Sequence, residues 1–112
     1  MKTKIAISLI FLFLSSKQLV FAEGVTVLGV IDCGQWVSNS KQSLAHRSWL
    51  TGYMSGLSRM HELNGNKGDP LDRLNSSEQL FLWMDNYCQK NPLERVSTGG
   101  IDLFIELMKK TK

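Results

Sequence analysis

The chain has 112 residues, of which 43% are apolar and 21% are charged, and its formal net charge is +3. This length allows one small domain and excludes a large multidomain protein. Three lysines lie in the first 22 residues, and from residue 23 onwards ten basic residues stand against ten acidic ones. This balance, without a basic stripe, argues against nucleic-acid binding.

The first 22 residues have the pattern of a secretory signal peptide. Lys2 and Lys4 precede an apolar run over 5–14, and Val20-Phe21-Ala22 has the small-x-small pattern that signal peptidase reads. We therefore expect a mature chain that begins near Glu23 and works outside the cytoplasm, in a bacterial periplasm. Because Glu23 stands where a lipoprotein has Cys, a soluble product is favoured over a lipid-anchored one. The alternative is an uncleaved N-terminal anchor with the same apolar run.

The two cysteines, Cys33 and Cys88, predict a structural disulfide. An even number of cysteines in a small exported domain is typical of such a bond. Closing a loop of about 55 residues stabilises a fold by about 4 kcal/mol in the chain-entropy description. The alternative is a metal or redox pair. The chain has no Cys-x-x-Cys, and its two histidines do not complete a zinc spacing.

The first part of the mature chain predicts an extended arm followed by a short helix. Residues 25–31 are β-branched and apolar but have no obvious hairpin partner, so we interpret them as an arm. Asp32 is a plausible N-cap for one or two helical turns over 33–37. The polar segment 38–41 predicts a loop.

A long helix is predicted from about Leu44 to Leu63, capped by Ser43. Its apolar residues recur every three or four positions, at Trp49, Leu50, Tyr53, Met54, Leu57 and Met60. Gly52 and Gly56 lie four apart in this helix, and each costs about 1 kcal/mol relative to Ala. We expect them to allow close approach of another helix backbone or an aromatic ring.

Two further helices are predicted after the turn-rich segment 64–70. Ser76 and Gln79 resemble a capping box that begins the first, and its wide apolar arc predicts a central position. Asn91-Pro92 is expected to end this helix and to cap the next. Gly99-Gly100 predicts a kink or a second close contact in the final helix. The fold class is therefore all-α: about four helices in one domain over 23–112, closed by one disulfide, with an extended N-terminal arm.

Catalytic and metal chemistry find little support in the sequence. His46 and His61 are the catalytic candidates, but neither lies in a nucleophile-elbow or zinc-protease motif, so we predict a protein that is not an enzyme. Asp69 and Asp72 lack the ligand spacing of a calcium loop and are interpreted as turn formers and caps. We predict no cofactor and no metal. The sharper hypothesis is that Asp69, Asp72 and Arg73 contact a partner protein.

The three tryptophans have two possible roles. Trp36, Trp49 and Trp83 stand among apolar residues at helical spacing, which favours a place in the core. The alternative is a partner-binding surface, since tryptophan often anchors protein contacts.

Three segments together resemble the Rap/Tai family of periplasmic immunity proteins. They are Asp-Cys-Gly-Gln-Trp at 32–36, Trp-Leu-Thr-Gly-Tyr-Met-Ser-Gly at 49–56 and Trp-Met-Asp-Asn-Tyr-Cys-Gln-Lys-Asn-Pro-Leu at 83–93. The resemblance runs from about Asp32 to Leu107 and rests on the cysteines and on packing or motif residues: Trp36, Trp49, Gly52, Tyr53, Gly56, Trp83, Tyr87, Asn91 and Pro92. It implies a small helical protein with one disulfide, which inhibits a peptidoglycan amidase effector delivered by type VI secretion. It also implies a possible homodimer.

Two matters lie outside this resemblance. The arm at 25–31 and the loop at 69–74 match no family contact residue, so no effector-binding residue is carried over. The alternative function is that of a periplasmic acid-stress chaperone of the Hde type, which exposes apolar surface when its carboxylates become protonated. Suppression of client aggregation at low pH would distinguish this chaperone from an immunity protein.

Overall fold

The structure is a computed structural model that describes residues 24–38 and 43–110. In this part of the chain the α-helices are α1 (Cys33–Ser38), α2 (Leu44–Leu63), α3 (Ser77–Lys90) and α4 (Val96–Lys109), and a 3₁₀ helix spans Pro70–Arg73. The all-α prediction is confirmed. The predicted signal peptide lies outside the described residues.

Side-chain caps begin the first three α-helices as the sequence predicts. Asp32 and Gln35 cap α1 reciprocally: the Gln35 amide donates to Asp32 Oδ1 at 2.7 Å, and the Asp32 amide donates to Gln35 Oε1 at 3.1 Å. Ser43 accepts from the amide of His46, at 3.1 Å. Ser76 accepts from the Gln79 amide at 3.4 Å, while Gln79 Oε1 accepts from the Asn75 amide at 2.7 Å.

The predicted start of the last helix is wrong. Asn91 ends α3, where its backbone N–H and its side-chain Nδ2 both donate to the Tyr87 carbonyl at 2.9 Å. Pro92 lies in the turn that follows, and α4 begins four residues later, at Val96. The intervening backbone pairs with the arm instead of forming a helix: the amide of Val96 donates to the Ile31 carbonyl, beside an isolated bridge between Asp32 and Arg95.

The disulfide between Cys33 and Cys88 is confirmed, and it joins α1 to α3 inside the core. Both cysteines are essentially fully buried, at 0% and 1% exposure. Trp36 is also fully buried, and its indole N–H donates to Asp85 Oδ1 at 2.7 Å across the same pair of helices. The prediction that Trp36 lies in the core is therefore correct.

The central helix is α4 rather than α3. It packs against α2, α3 and the 3₁₀ helix, whereas α3 packs mainly against α1 and α4. Half of the residues of α4 are buried: Val96, Ser97, Gly99, Gly100, Leu103, Phe104 and Leu107. Two neighbouring glycines in this helix determine how closely its partners approach.

Candidate partner-binding surface

Two stacked aromatic pairs flank α4, one on each neighbouring helix. Trp49 and Tyr53 of α2 stack with ring centroids 5.1 Å apart and planes inclined by 10°. Trp83 and Tyr87 of α3 stack at 5.3 Å and 12°. Both pairs have the i,i+4 spacing that places side chains on one helix face. All four side chains are half-buried and pack against the core.

Gly99 and Gly100 allow both pairs to lie against α4. A Cβ on Gly99 would stand 2.7 Å from Tyr87 Cδ1 and 2.8 Å from Met84 Sδ, distances too short for a real contact. A Cβ on Gly100 would lie 3.0 Å from Tyr53 Cε1. The two glycines thus face opposite neighbours, and α4 runs unbroken through them. Of the two predicted roles for this pair, a kink or a close contact, the close contact is confirmed.

The two half-buried tryptophans each bind a different part of the chain. The Trp49 indole donates to the Leu28 carbonyl at 2.9 Å, next to Gly29, whose φ of +67° only glycine adopts easily. The arm is thereby fastened to α2. The Trp83 indole donates to Glu106 Oε2 of α4 at 3.1 Å. Because part of each ring remains exposed, Trp49 and Trp83 combine a packing role with accessible aromatic surface.

The two tyrosines of these pairs have raised phenol pKa values. Burial raises the pKa of Tyr53 above its usual value of 10.0. Burial also raises the pKa of Tyr87, and the negative charges of Asp102 and Glu94 and a hydrogen bond to Asp102 raise it further. Both phenols therefore remain protonated at neutral pH, and neither has the lowered pKa of an activated base.

The interpretation of Gly52 and Gly56 as packing residues is wrong. Both are exposed, and a Cβ built on either would meet none of the described atoms within 4 Å. The reason is the direction of α2: its fully buried residues are Leu50 and Met54, and each glycine follows one of them by two positions. Two positions correspond to about 200° around a helix, so the glycines point away from the core.

The segment 64–73, which we call the charged knuckle, is an ordered connection between α2 and α3. Gly65 and Gly68 adopt φ of +80° and +79°, which a side chain would oppose. Asp69 caps the 3₁₀ helix by accepting from the Leu71 amide at 3.0 Å, and it also accepts from Ser58 Oγ of α2 at 2.8 Å. Pro70 is buried. The interpretation of Asp69 as a cap is correct.

The three residues of the charged knuckle that were predicted to bind a partner differ in exposure. Asp69 and Asp72 are exposed. Arg73 is half-buried and lines a small cavity of about 200 Å³ together with His61, Asn66 and Lys67. The proximity of His61 and Lys67 to Arg73 was not predicted, because it depends on the two glycines that fold residues 64–69 back towards α2.

The described contacts of the two histidines are structural. The His61 ring lies edge-on to Phe104 with centroids 5.6 Å apart, and the His46 backbone amide takes part in the Ser43 cap. His46 Nδ1 is buried and has no hydrogen-bond partner within the part of the chain that the structure describes. Within 24–38 and 43–110 no group of three His, Cys, Asp or Glu residues is placed to hold a metal ion.

Other proteins provide no further guide to this surface. Among the described residues, no helix combines the length and apolar character that crossing a membrane requires. No protein-family model, curated protein or solved structure matches the chain.

Proposed function

We propose that this chain is a periplasmic immunity-type protein that binds and inhibits a peptidoglycan amidase effector of type VI secretion. The observation that supports this most is how the three segments of the Rap/Tai resemblance meet. Cys33 of the first bonds to Cys88 of the third. The second and third segments each place an aromatic pair against α4. The residues that carry the resemblance are thus largely those that build the scaffold.

The charged knuckle is the surface that we propose to contact the effector. It is held rigidly by the Asp69 cap and the buried Pro70, so binding would require little loss of conformational entropy. Asp72 is exposed on it and is free to meet a cationic group. Rigid loops on a helical scaffold are common sites of protein recognition.

The test is inhibition of purified amidase effectors by residues 23–112. We expect peptidoglycan hydrolysis to stop at about one inhibitor per enzyme, as tight binding of a cleft requires. Asp72→Lys is expected to weaken inhibition by about tenfold or more because it reverses an exposed charge at the contact. Glu94→Lys, the same charge change outside the knuckle, is the matched control. Equal loss in both variants would remove the knuckle from the proposal.

A second assay separates this proposal from the chaperone alternative. The protein is incubated at about pH 2–3 with aggregation-prone clients, the range in which carboxylates become protonated. An immunity protein is expected to leave client aggregation unchanged. Strong suppression of aggregation, together with failure to bind any amidase effector, would replace the proposal with an acid-stress chaperone.

A further inference from the structure

The cavity beside the charged knuckle has a one-sided charge. Lys67, Arg73 and His61 all line it, as does the Asn66 amide side chain. No Asp or Glu of the described residues lines it. Asp69, which directly precedes the lining residue Pro70, is engaged elsewhere: its Oδ1 accepts from both Ser58 Oγ and the Leu71 amide. The cavity therefore collects cationic and hydrogen-bond-donating groups without a counter-charge on its walls.

The two permanent cations of this cavity have no ion-pair partner in the described part of the chain. The ion pairs found there join Arg47 to Glu78, Arg59 to Glu62 and Lys110 to Glu106. Arg73 Nε is moreover buried without a hydrogen-bond acceptor among the described residues. Because Arg73 is half-buried and lines the cavity, an anion bound there would offset part of the cost of burying its charge.

Lys67 and Arg73 are not needed to compensate the partial negative charge of the carbonyls at the C-terminus of α2. Three of the last four carbonyls of this helix already have donors: Met60 accepts from the Asn64 amide, Glu62 from Gly65 and His61 from Asn66. The Asn66 side chain donates to His61 as well, at 3.1 Å. Because the chain that follows caps these carbonyls, Lys67 and Arg73 are not required there.

We propose that this cavity binds an oxyanion, with the size and chemistry of a phosphate or carboxylate group. Arg73 would supply the planar donor fork that such oxygens accept, and Lys67 a mobile point charge. The volume of about 200 Å³ accommodates a group of this size with a few waters. The site does not depend on the amidase proposal, since it is complete within this chain.

The test is a titration of residues 23–112 with inorganic phosphate, and separately with acetate, at constant ionic strength. We expect saturable changes in the backbone amide NMR signals of Lys67, Gly68 and Arg73. Lys67→Ala, which changes an exposed side chain, should weaken binding by about tenfold, the loss typical of one charge-assisted hydrogen bond. Arg73→Gln should weaken it at least as much, and Lys90→Ala, outside the cavity, should not.

The outcomes distinguish the two sources of the oxyanion. Saturation by phosphate alone assigns a phosphate group, and saturation by acetate alone assigns a carboxylate; either supports the site. Circular dichroism of each variant shows whether it is folded, and Lys67→Ala provides the test if Arg73→Gln unfolds. Signals that do not saturate with either anion would overturn the proposal, as would equal affinity in folded Lys67→Ala.

Discussion

Two pairs of glycines lie in long helices of this protein, and they differ in burial: one pair is packed against neighbouring helices and the other is exposed. Gly99 and Gly100 of α4 are buried beneath Tyr87 and Tyr53, with no room for a Cβ on Gly99. Gly52 and Gly56 of α2 are exposed, and no described atom lies within 4 Å of a Cβ built on either. The difference shows that the face of a helix on which glycine lies, rather than its spacing, decides whether it serves packing.

The largest expected loss of stability comes from removing the disulfide. This bond also bears on the buried glycines, because Cys88 directly follows Tyr87, the α3 residue that packs on Gly99. Replacing Cys33 and Cys88 together by Ala should lower the free energy of unfolding by about 4 kcal/mol, since the unfolded chain regains the freedom of its closed loop. Urea unfolding monitored by circular dichroism measures this. A double variant with an unchanged midpoint would show that helix packing alone holds α3 in place.

Gly99→Ala tests the packing of the buried pair, Gly99 and Gly100, directly. Its Cβ would displace Tyr87 from its stack on Trp83 and press on the buried Met84, so we expect a loss of about 2 kcal/mol after the gain in helix propensity. Thermal unfolding measures it.

Gly100→Ala is the matched control for Gly99→Ala. Its nearest neighbours, Tyr53 Cε1 at 3.0 Å and Met54 Sδ at 3.2 Å, need to move by only a few tenths of an ångström. We expect a loss well below that of Gly99→Ala. Equal losses in the two variants would contradict the assignment of the tighter contact to Gly99.

Substitutions in the exposed pair, Gly52 and Gly56, should raise stability instead of lowering it. Gly52→Ala and Gly56→Ala should each raise the free energy of unfolding by about 0.5–1 kcal/mol, because Ala restricts the unfolded chain and meets no neighbour in the fold. Denaturant midpoints of both single variants and of the double variant provide the measurement. A loss of stability in either would mean that this face of α2 is covered.

The helices were predictable because their signals are local. The caps Asp32, Ser43 and Ser76 each bond within three residues, so the sequence showed where α1, α2 and α3 begin. The start of α4 was misread because its signal is not local. The backbone before Val96 is held by Ile31 of the arm, more than sixty residues earlier.

The candidate site was less predictable, for the same physical reason. Arg73 was selected from its sequence neighbourhood, but its cavity is made by His61 and Lys67 through turns at Gly65 and Gly68. The open face of Gly52 could have been recognised, because Leu50 and Met54 already define the buried face of α2. A close contact at Gly99-Gly100 was predicted, but its partners were not, since which side chains of α3 lie against Gly99 depends on the rotation of α3 about its axis.

The smallest expected effect is on the pH dependence of stability, through the phenols of Tyr87 and Tyr53 that lie beside Gly99 and Gly100. The pKa of Tyr87 is raised in the folded state, so folding favours the protonated phenol. Its contribution to stability is complete below the unfolded pKa of about 10 and is lost as pH rises through the folded pKa. Tyr87→Phe keeps the ring over Gly99 and removes only the phenol oxygen, so its cost at neutral pH should be limited to the exposed hydrogen bond to Asp102, and it should reduce the loss above about pH 10.

Tyr53→Phe is the control that separates burial from charge. Burial alone raises the pKa of Tyr53, whereas Asp102 and Glu94 add to that of Tyr87. Because salt screens charges but does not expose a buried ring, 1 M NaCl should diminish the alkaline effect of Tyr87→Phe more than that of Tyr53→Phe. Denaturant unfolding between about pH 9 and 12, with tyrosinate absorbance in parallel, measures both. An equal response to salt would show that the two carboxylates do not act on Tyr87, and that its pKa reflects burial only.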